Sequence, residues 1–406
     1  TRHDRGTGAL RTRRPEYVDF LPPCNDACPA GENIQAWLAL AQSGDYEGAW
    51  RELVRNNPMP AIHGRVCYHP CESVCHRDIT DSAVSIHAVE RYLGDLALEK
   101  GWQFKKPDQQ TGKKILIIGA GPSGLSAAYH LTLMGHEVEI REAGPVAGGM
   151  IHFGIPAYRM PRDELQAEID RIEALGVKIT LDHRVDDVLR EKEEGGFDAV
   201  FTAVGAHISK KIDIPTREAG KILDAVSFLS STKDGDTPKL GRRVAIYGGG
   251  NTAMDAARTA RRLGGNVTIV YRRTREAMPV RREELHHALE EGIELKTLRA
   301  PREFIGDDKT HFVNSTNLDV MELGEPDASG RRRPVATGET EAMQVDLVIM
   351  ALGNASNPIV KDAEPGLKTS KWGTIEIRPG SQETSIADVY TGGDANRGGS
   401  TAIRAA

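Results

Sequence analysis

Five cysteines are the side chains best suited to chemistry in this 406-residue chain, because all of them lie within one short segment. Cys24 and Cys28 are separated by three residues, and Cys67, Cys71 and Cys75 repeat the same spacing further along. Closely spaced cysteines, one of them followed by proline, are typical of iron–sulfur clusters held by thiolates. Zinc is the physical alternative, although tight C-x2-C pairs are absent. A set of unligated buried thiols is a third interpretation.

A glycine-rich loop follows the apolar run at residues 115–118. Gly119, Gly121 and Gly124 give the pattern G-x-G-x-x-G, which permits a tight turn, close approach of a pyrophosphate and close packing of helix on strand. The N-terminus of the following helix offers free N–H groups to phosphates. Glu142 ends the next strand, where a carboxylate can accept ribose hydroxyls. The pattern predicts a dinucleotide site.

A second loop of the same kind comprises Gly248, Gly250, Asn251, Thr252 and Ala253. The strand after it ends in Arg272 and Arg273 instead of a carboxylate. Arginine suits a 2′-phosphate, whereas an acid suits a free 2′-hydroxyl, so this loop favours NADPH over NADH. The alternative is that both arginines are ordinary surface charges.

Two dinucleotide sites in one chain predict one bound flavin and one exchanging nicotinamide. Hydride transfer between them needs positioning and no protein acid or base, so we nominate no catalytic residue. The histidines are expected to be structural or exposed, as at His130, His207, His286 and His287. A thioredoxin-reductase-like activity is excluded, because no cysteine follows Cys75 to supply a dithiol beside the flavin.

The elements that position these loops are alternating strands and helices. One βαβ unit is predicted by the stretches KKILIIGAG, SGLSAAYHLTLMG and HEVEIRE. A second unit runs from GRRVAIYGGGNT to NVTIVYRR. Residues 21–105 are predicted to be helical, with Gly44 ending one helix and Asp45 capping the next. A further helix over about residues 83–99 would carry Val89, Tyr92, Leu93 and Leu96 on its apolar face. Polar and apolar residues alternate within residues 304–350, as in an antiparallel meander.

Composition excludes several classes of protein. The net charge of −6 argues against nucleic acid as the main partner. No apolar stretch reaches the length that spans a bilayer. The clustered, odd number of cysteines and the polar N-terminus without a signal peptide predict a cytoplasmic location. The basic arm at residues 1–20 is either a solvated tail or a segment that docks on an acidic partner subunit.

Several motifs together resemble one family. The chain is similar to the small (beta) subunit of glutamate synthase and its relatives in CNDACPAGENI, GRVCYHPCESVC, SIHAVERYLGD, GAGPSGLSAA, AGGMIHFGIPAYRMP, GGGNTAMDAARTA, VYRRTREAMP and TGGDANRGGST. The resemblance implies an α/β fold with two nested Rossmann-like domains, of the glutathione- and thioredoxin-reductase type, preceded by a helical iron–sulfur domain. The expected divisions are a basic arm (1–20), an iron–sulfur domain (21–105), an FAD domain in two parts (106–216 and 345–406) and an NAD(P) domain (217–344).

The same resemblance implies roles for individual residues. FAD would be held by Gly119, Gly121, Gly124, Glu142 and Asp394, with Gly149, Met150 and Thr401 close to the flavin. NADP or NAD would be held by the second loop with Arg272 and Arg273.

The cysteines depart from the family pattern, in which two [4Fe–4S] clusters interleave their ligands. One cluster can be completed by Cys28, Cys67, Cys71 and, as a non-cysteine ligand, Glu90. The alternative for Glu90 is an ordinary charge on a helix surface. Cys24 and Cys75 alone remain for a second cluster, which is lost, remodelled or completed by a neighbouring chain.

The resemblance implies an electron-transfer subunit within a hetero-oligomeric complex, whose partners would include oxidoreductase subunits and a ferredoxin-like subunit. The altered first cysteine segment favours a 2-oxoacid:acceptor oxidoreductase, such as phenylglyoxylate dehydrogenase, as the partner complex. The large subunit of glutamate synthase is the alternative. A non-catalytic nucleotide-binding scaffold is a third hypothesis, against which the intact second loop argues.

Overall fold

The computed structural model describes residues 21–210, 214–216, 219–232, 240–328 and 330–406. The basic arm predicted over residues 1–20 lies outside this part of the chain. The described residues form a helical domain, two units with parallel sheets and a small antiparallel sheet. The predicted fold class, two Rossmann-like units preceded by a helical domain, is confirmed.

The N-terminal domain is helical. Its helices are α1 (Pro23–Ala27), α2 (Ile34–Gln42), α3 (Tyr46–Leu53), α4 (Pro60–Val66), α5 (Pro70–Ser73) and α6 (Ile86–Lys100), with a 3-10 turn at His76–Ile79. Gly44 separates α2 from α3, and the Asp45 carboxylate caps α3 by accepting a hydrogen bond from the Gly48 N–H. The expected apolar face of α6 is wrong at Tyr92, which is 50% exposed, because α6 turns the side that carries Leu93 toward the core.

The first dinucleotide unit has a parallel sheet. Its strands are β1 (Lys114–Ile118), β2 (Glu137–Arg141), β3 (Lys178–Thr180), β4 (Ala199–Thr202) and β15 (Val389–Thr391), in the order β15-β4-β1-β2-β3. Its helices are α7 (Pro122–Leu133), α8 (Met150–Gly154), α9 (Arg162–Glu173), α10 (Val188–Glu194) and, near the C-terminal end, α14 (Ile359–Ala363), α15 (Asp394–Arg397) and α16 (Ala402–Ala405). The first glycine loop joins β1 to α7, as predicted.

The second unit is inserted between β4 and β15. Its strands are β6 (Ile222–Asp224), β7 (Arg243–Tyr247), β8 (Asn266–Tyr271), β9 (Glu294–Thr297) and β13 (Leu347–Met350), in the parallel order β6-β13-β7-β8-β9. Its helices are α11 (Ala225–Ser231), α12 (Asn251–Arg262) and α13 (Arg282–Glu290), with a 3-10 turn at Arg275–Ala277. Because β13 pairs with β6 and β7, the second sheet extends past the division expected at residue 344.

Two antiparallel pairings complete the described fold. The predicted meander is formed by β10 (Arg299–Gly306), β11 (Val313–Pro326) and β12 (Arg332–Gln344). The two segments that cross between the units run side by side, where β5 (Ile208–Ser209) pairs with β14 (Asn354–Ala355).

The helical domain shares one hydrophobic core with the first unit. The Trp50 and Phe104 rings stack with centroids 5.6 Å apart. The Tyr129 hydroxyl, on α7, donates a hydrogen bond of 2.7 Å to the carbonyl oxygen of Val54. These contacts hold the cysteine-bearing helices at a fixed distance from the first glycine loop. None of the helices in the described ranges has the length and hydropathy needed to cross a bilayer.

Candidate functional site

Three of the five cysteines converge on one small pocket in the helical domain. Cys28, Cys67 and Cys71 line it, and the carboxylates of Glu32 and Glu90 face the same space. Cys67 caps the C-terminal end of α4, Cys71 lies in α5, and both side chains line the pocket. Glu90 is buried, which removes the alternative of a solvated charge on the helix surface. This donor set of three thiols and two carboxylates is chemically suited to an iron–sulfur cluster.

The thiols of this pocket are hard to ionise without a cation. Burial, together with the negative charge of Glu32, raises the pKa of Cys28 to about 12. Burial, together with Glu90, raises the pKa of Cys67 to about 12, and burial raises the pKa of Cys71 as well. A bound metal supplies the positive charge that replaces these protons, so the pocket is suited to thiols that ionise on metal binding.

A buried amide orients the two carboxylates. Asn57 Nδ2 donates hydrogen bonds to Glu32 Oε1 at 3.0 Å and to Glu90 Oε1 at 2.8 Å. The orientation of the amide is fixed, because Asn57 Oδ1 accepts a hydrogen bond from the backbone N–H of Met59. His63 Nδ1 lies 2.6 Å from the same oxygen and must therefore carry a proton. Sequence reasoning missed Glu32 and Asn57, although Glu32 stands within the cysteine motif CPAGENI.

Cys24 and Cys75 do not line this pocket. Both thiols are half-buried, and burial, with a smaller contribution from the charge of Cys75, raises the pKa of Cys24. The two cysteines left over by the sequence pattern are therefore also left out of the pocket that the other three line.

Another group of possible metal ligands lies beside the pocket and serves a different purpose. Glu72 Oε2 lies 2.9 Å from His69 Nδ1, and Glu72 Oε1 lies 2.7 Å from His87 Nδ1. Burial alone would raise the pKa of Glu72, but the hydrogen bonds from both histidines hold it well below its usual value. The two imidazole rings stack in parallel, 4.0 Å apart. A metal ion cannot lie in both ring planes at once, so this geometry suits hydrogen bonding and disfavours coordination.

A cavity of about 1090 Å³ lies between the two dinucleotide units, slightly larger than most ligand pockets. Its lining includes Gly119, Gly121, Glu142, Gly149, Met150, Asp394, Thr401, Asn251 and Thr252. The structure thus gathers most of the residues expected to hold FAD and two residues of the second loop around one space. Val66 and Tyr68 also line it, while Cys67 between them lines the cysteine pocket, so the two sites share a wall.

The first loop leaves no room for a side chain at Gly119 or Gly124. A Cβ at Gly124 would lie 1.9 Å from the carbonyl oxygen of Gly119, and Gly119 itself has a positive φ of 106°. Gly149, with a φ of 52°, packs so closely that its Cβ would lie 2.8 Å from the Cα of Gly121. Gly124 therefore supports the loop from behind, whereas Gly121 and Gly149 present bare backbone to the cavity, as a bound pyrophosphate requires.

Acidic groups border the same cavity. Glu142 accepts hydrogen bonds from the backbone N–H groups of Ala120 at 2.7 Å and Gly144 at 2.8 Å, which fixes its carboxylate beside the loop. Asp394 Oδ1 accepts from both the N–H and the hydroxyl of Ser400 at 3.1 Å, and burial raises its pKa.

The second loop is less fully placed in the cavity. Gly248 has a positive φ of 151°, and Ala253 is buried behind the loop. Arg272 is exposed at the end of β8, and Arg273 is half-buried with its Nε making no hydrogen bond. Neither arginine lines the cavity. Both directly follow the C-terminal end of β8, at the same end of the sheet as the second loop.

A buried ion-pair network joins the two units across the cavity. Arg159, from the first unit, donates to both carboxylate oxygens of Asp255 on α12, at 2.8 and 2.9 Å, and lies 3.3 Å from Glu284 on α13. Arg258 also contacts Glu284 at 3.1 Å. Burial opposes ionisation of Arg159, but Asp255 and Glu284 raise its pKa, so the arginine stays charged. Sequence reasoning missed this pairing, because it joins motifs about a hundred residues apart.

Comparison with known families gives two matches. Residues 113–406 match the family described as pyridine nucleotide-disulphide oxidoreductase. Residues 20–102 match the domain described as dihydropyrimidine dehydrogenase domain II, 4Fe-4S cluster. The second match falls on the helical domain that contains the cysteine pocket and favours iron–sulfur over zinc.

Curated relatives are oxidoreductase subunits by name. The chain is 37% identical, over 99% of its length, to the NADP(+)-dependent formate dehydrogenase subunit beta of Moorella thermoacetica, and 35% identical, over 95%, to the NADPH-Fe(3+) oxidoreductase subunit beta of Geobacter sulfurreducens. It spans 61% and 62% of the length of these proteins. It is also 35% identical, over 95% of its length, to the glutamate synthase [NADPH] small chain of Escherichia coli, of which it spans 85%.

Solved structures support the fold. Mycobacterium tuberculosis FprA in complex with NADPH has a TM-score of 0.60 and 22% identity, covering 72% of this chain and 81% of that one. Thioredoxin reductase from T. acidophilum has a TM-score of 0.55 and 22% identity, covering 72% of this chain and 94% of that one.

Proposed function

The chain belongs to the pyridine nucleotide-disulphide oxidoreductase family, and from this premise we propose that it is the electron-transfer subunit of a larger oxidoreductase. Electrons would pass between NAD(P)H, FAD and a [4Fe–4S] cluster, and to or from a partner subunit. The observation that carries the proposal is the shared wall at residues 66–68, where Cys67 faces the cysteine pocket and its two neighbours face the large cavity.

The cluster ligands in this proposal are Cys28, Cys67, Cys71 and Glu90. Convergence of the three thiols supports the set, as does the fixed orientation of Glu90 by Asn57. Glu32 lies against the same pocket as a second carboxyl group, and burial raises its pKa. Cys24 and Cys75 would be available to a second centre only if further ligands came from elsewhere.

The dinucleotide assignments follow the two loops. Gly119, Gly121, Gly124, Glu142 and Asp394 would hold FAD, with Gly149, Met150 and Thr401 against the flavin. The second loop, comprising Gly248, Gly250, Asn251, Thr252 and Ala253, would hold the nicotinamide dinucleotide. When bound, the flavin supplies the chemistry, exchanging a hydride with NAD(P)H and single electrons with a cluster. The protein contributes the bare backbone of the first loop and the Arg159–Asp255 pair, which ties the first unit to α12 of the second.

NADP is the nucleotide we propose for the second loop, with Arg272 and Arg273 as the groups that would contact a 2′-phosphate. Both arginines stand at the end of β8, where that phosphate is bound in related loops. Affinities for NADPH and NADH in Arg272→Ala and Arg273→Ala test the assignment. Selective loss of NADPH affinity supports it, whereas equal effects on both nucleotides contradict it.

The partner we propose is a dehydrogenase subunit that acts on a small organic acid, of the 2-oxoacid:acceptor class. Similarity to a beta subunit of formate dehydrogenase supports a dehydrogenase partner. A glutamate-forming large subunit is the second candidate, which the 85% coverage of the glutamate synthase small chain favours. Mass spectrometry of chains that co-purify with this one from its native source distinguishes the two.

The proposal is tested on anaerobically purified chain. Iron, acid-labile sulfide and FAD should all be present, and NADPH should bleach the flavin absorption. The isolated chain should reduce artificial electron acceptors but turn over no specific organic substrate. Turnover of such a substrate by the chain alone would refute the assignment as a subunit.

A further inference from the structure

A ring of hydrogen bonds ties the cysteine segment to the second dinucleotide loop. Asn251 Nδ2 donates to the Tyr68 hydroxyl at 2.5 Å. The backbone N–H of Arg281 donates to Asn251 Oδ1 at 3.3 Å, and Arg281 Nη2 lies 2.7 Å from His69 Nε2. Because Tyr68 and His69 are adjacent, these contacts close on themselves. We call the set of Tyr68, His69, Asn251 and Arg281 the clasp.

The chemistry of each group fixes the direction of these bonds. A guanidinium has only donors, so His69 Nε2 must accept from Arg281. The His69 proton then lies on Nδ1 and is donated to Glu72, which also holds His87. Both ends of the Asn251 amide are occupied within the clasp, so its side chain is held in one orientation. The clasp therefore fixes Asn251, while the Arg281 guanidinium lies within reach of both His69 at 2.7 Å and Glu283 at 3.6 Å.

The two ends of the clasp lie at two different sites. Asn251 is the first residue of α12 and lines the large cavity at the second loop. Tyr68 stands next to Cys67, and His69 lines the cysteine pocket together with Cys67 and Cys71. A nucleotide that displaces Asn251 at the second loop therefore acts, through the hydrogen bonds of the clasp, on His69 at the cysteine pocket.

We propose that the clasp couples nucleotide binding at the second loop to the environment of the metal centre in the cysteine pocket, with Tyr68 and Arg281 as positioning residues. The inference rests on the proposed function for the identity of the two occupants. Coupling between two sites is reciprocal, so the state of the centre also alters nucleotide affinity by the same factor. The clasp thus connects the site where electrons enter or leave as hydride with the site where they move singly.

The test uses nucleotides that occupy the loop without exchanging electrons. The compounds 2′-phospho-ADP-ribose and ADP-ribose carry the pyrophosphate but lack the nicotinamide, so neither can accept or donate a hydride. The EPR spectrum of the dithionite-reduced holoprotein is recorded with and without saturating probe. We expect the wild-type cluster signal to shift with 2′-phospho-ADP-ribose. In Tyr68→Phe the shift disappears, while iron content is retained and probe affinity falls about two- to tenfold, the effect of one hydrogen bond.

Two further variants complete the experiment. Arg281→Met removes the contact to His69 but keeps the backbone N–H that donates to Asn251 Oδ1. A smaller shift of the EPR signal is therefore expected. Tyr92→Phe makes the same chemical change as Tyr68→Phe on an exposed residue of the same domain and should leave the shift intact. An unshifted wild-type signal at saturation, or an equal shift in Tyr68→Phe, overturns the inference. Iron, sulfide and NADPH bleaching are measured in portions of the same preparations before dithionite is added, so that failure of the proposed function itself is recognised separately.

Discussion

The amide of Asn57 donates a hydrogen bond of 2.8 Å to the carboxylate of Glu90, at the floor of the cysteine pocket. Both side chains are buried, and the other oxygen of Glu90, Oε2, makes no hydrogen bond to any described residue. Burial, and the nearby charge of Glu32, raise the pKa of Glu90 well above its usual value. A buried carboxylate with one oxygen held and one free is arranged as a metal ligand would be.

Replacing Glu90 should therefore affect the metal centre more than the fold. We expect Glu90→Ala to bind less iron and sulfide, and Glu90→Gln, which keeps an oxygen ligand, to retain iron with an altered EPR spectrum. Glu99→Ala, on the exposed side of the same helix, is the control and should match the wild type. Unchanged iron and an unchanged spectrum in Glu90→Ala would remove Glu90 from the ligand set.

The first glycine loop should tolerate no added methyl at Gly124. A Cβ there would lie 1.9 Å from a backbone oxygen, so Gly124→Ala must displace α7 from β1 and distort the loop. We expect the purified variant to contain little FAD. Gly366→Ala is the matched control, because its Cβ would meet no atom within 4 Å and its φ is not positive. Full flavin occupancy in Gly124→Ala would show that this loop does not hold FAD.

The ion pair between Arg159 and Asp255 should be important for stability. Arg159→Met leaves Asp255 buried without its partner, which costs about 3–5 kcal/mol in the free energy of unfolding. Arg51→Met, which breaks an exposed pair with Glu47, should cost less than about 1 kcal/mol. Anaerobic urea denaturation of the holoprotein measures both. Equal losses for the two variants would mean that the buried network does not hold the units together.

The buried His63 predicts a dependence of stability on pH. Burial lowers its pKa from 6.5 to about 3, so between these values the unfolded chain takes up a proton that the folded chain does not. The contribution of His63 is complete above pH 6.5 and falls by about 1.4 kcal/mol for each pH unit below it. His63→Gln should show a shallower decline in unfolding free energy between pH 6.5 and 5 than the wild type. The exposed His286→Gln should follow the wild-type slope, and an equally steep decline in His63→Gln would contradict this account.

Local patterns predicted the elements and loops because their signals are short-range. The strand, glycine loop and helix around Gly119 lie within about twenty residues. The steric role of each glycine can be assigned from the G-x-G-x-x-G spacing alone. The cap at Asp45 and the two βαβ units are predictable for the same reason.

Long-range side-chain contacts were not accessible in this way. The pairing of Arg159 with Asp255, and of Tyr68 with Asn251, depends on how separate units pack, which no local pattern encodes. Asn57 lies between motifs and carries no signature, yet it contacts two carboxylates at once. The position of β13 likewise follows from its pairing with β7, which no local pattern encodes. This strand lies in the second sheet although it follows the division expected at residue 344.

The presence of a flavin that NADPH reduces and of a cluster in the cysteine pocket is tested most directly by optical and EPR titration of the anaerobic wild-type chain and of Cys67→Ser. In the wild type, NADPH should bleach the flavin, and dithionite should produce the EPR signal of a reduced [4Fe–4S] cluster. In Cys67→Ser the bleaching should remain while the cluster signal and most of the iron are lost. A wild-type chain that contains flavin but neither iron nor acid-labile sulfide, or a Cys67→Ser variant with an undiminished cluster signal, would contradict the account.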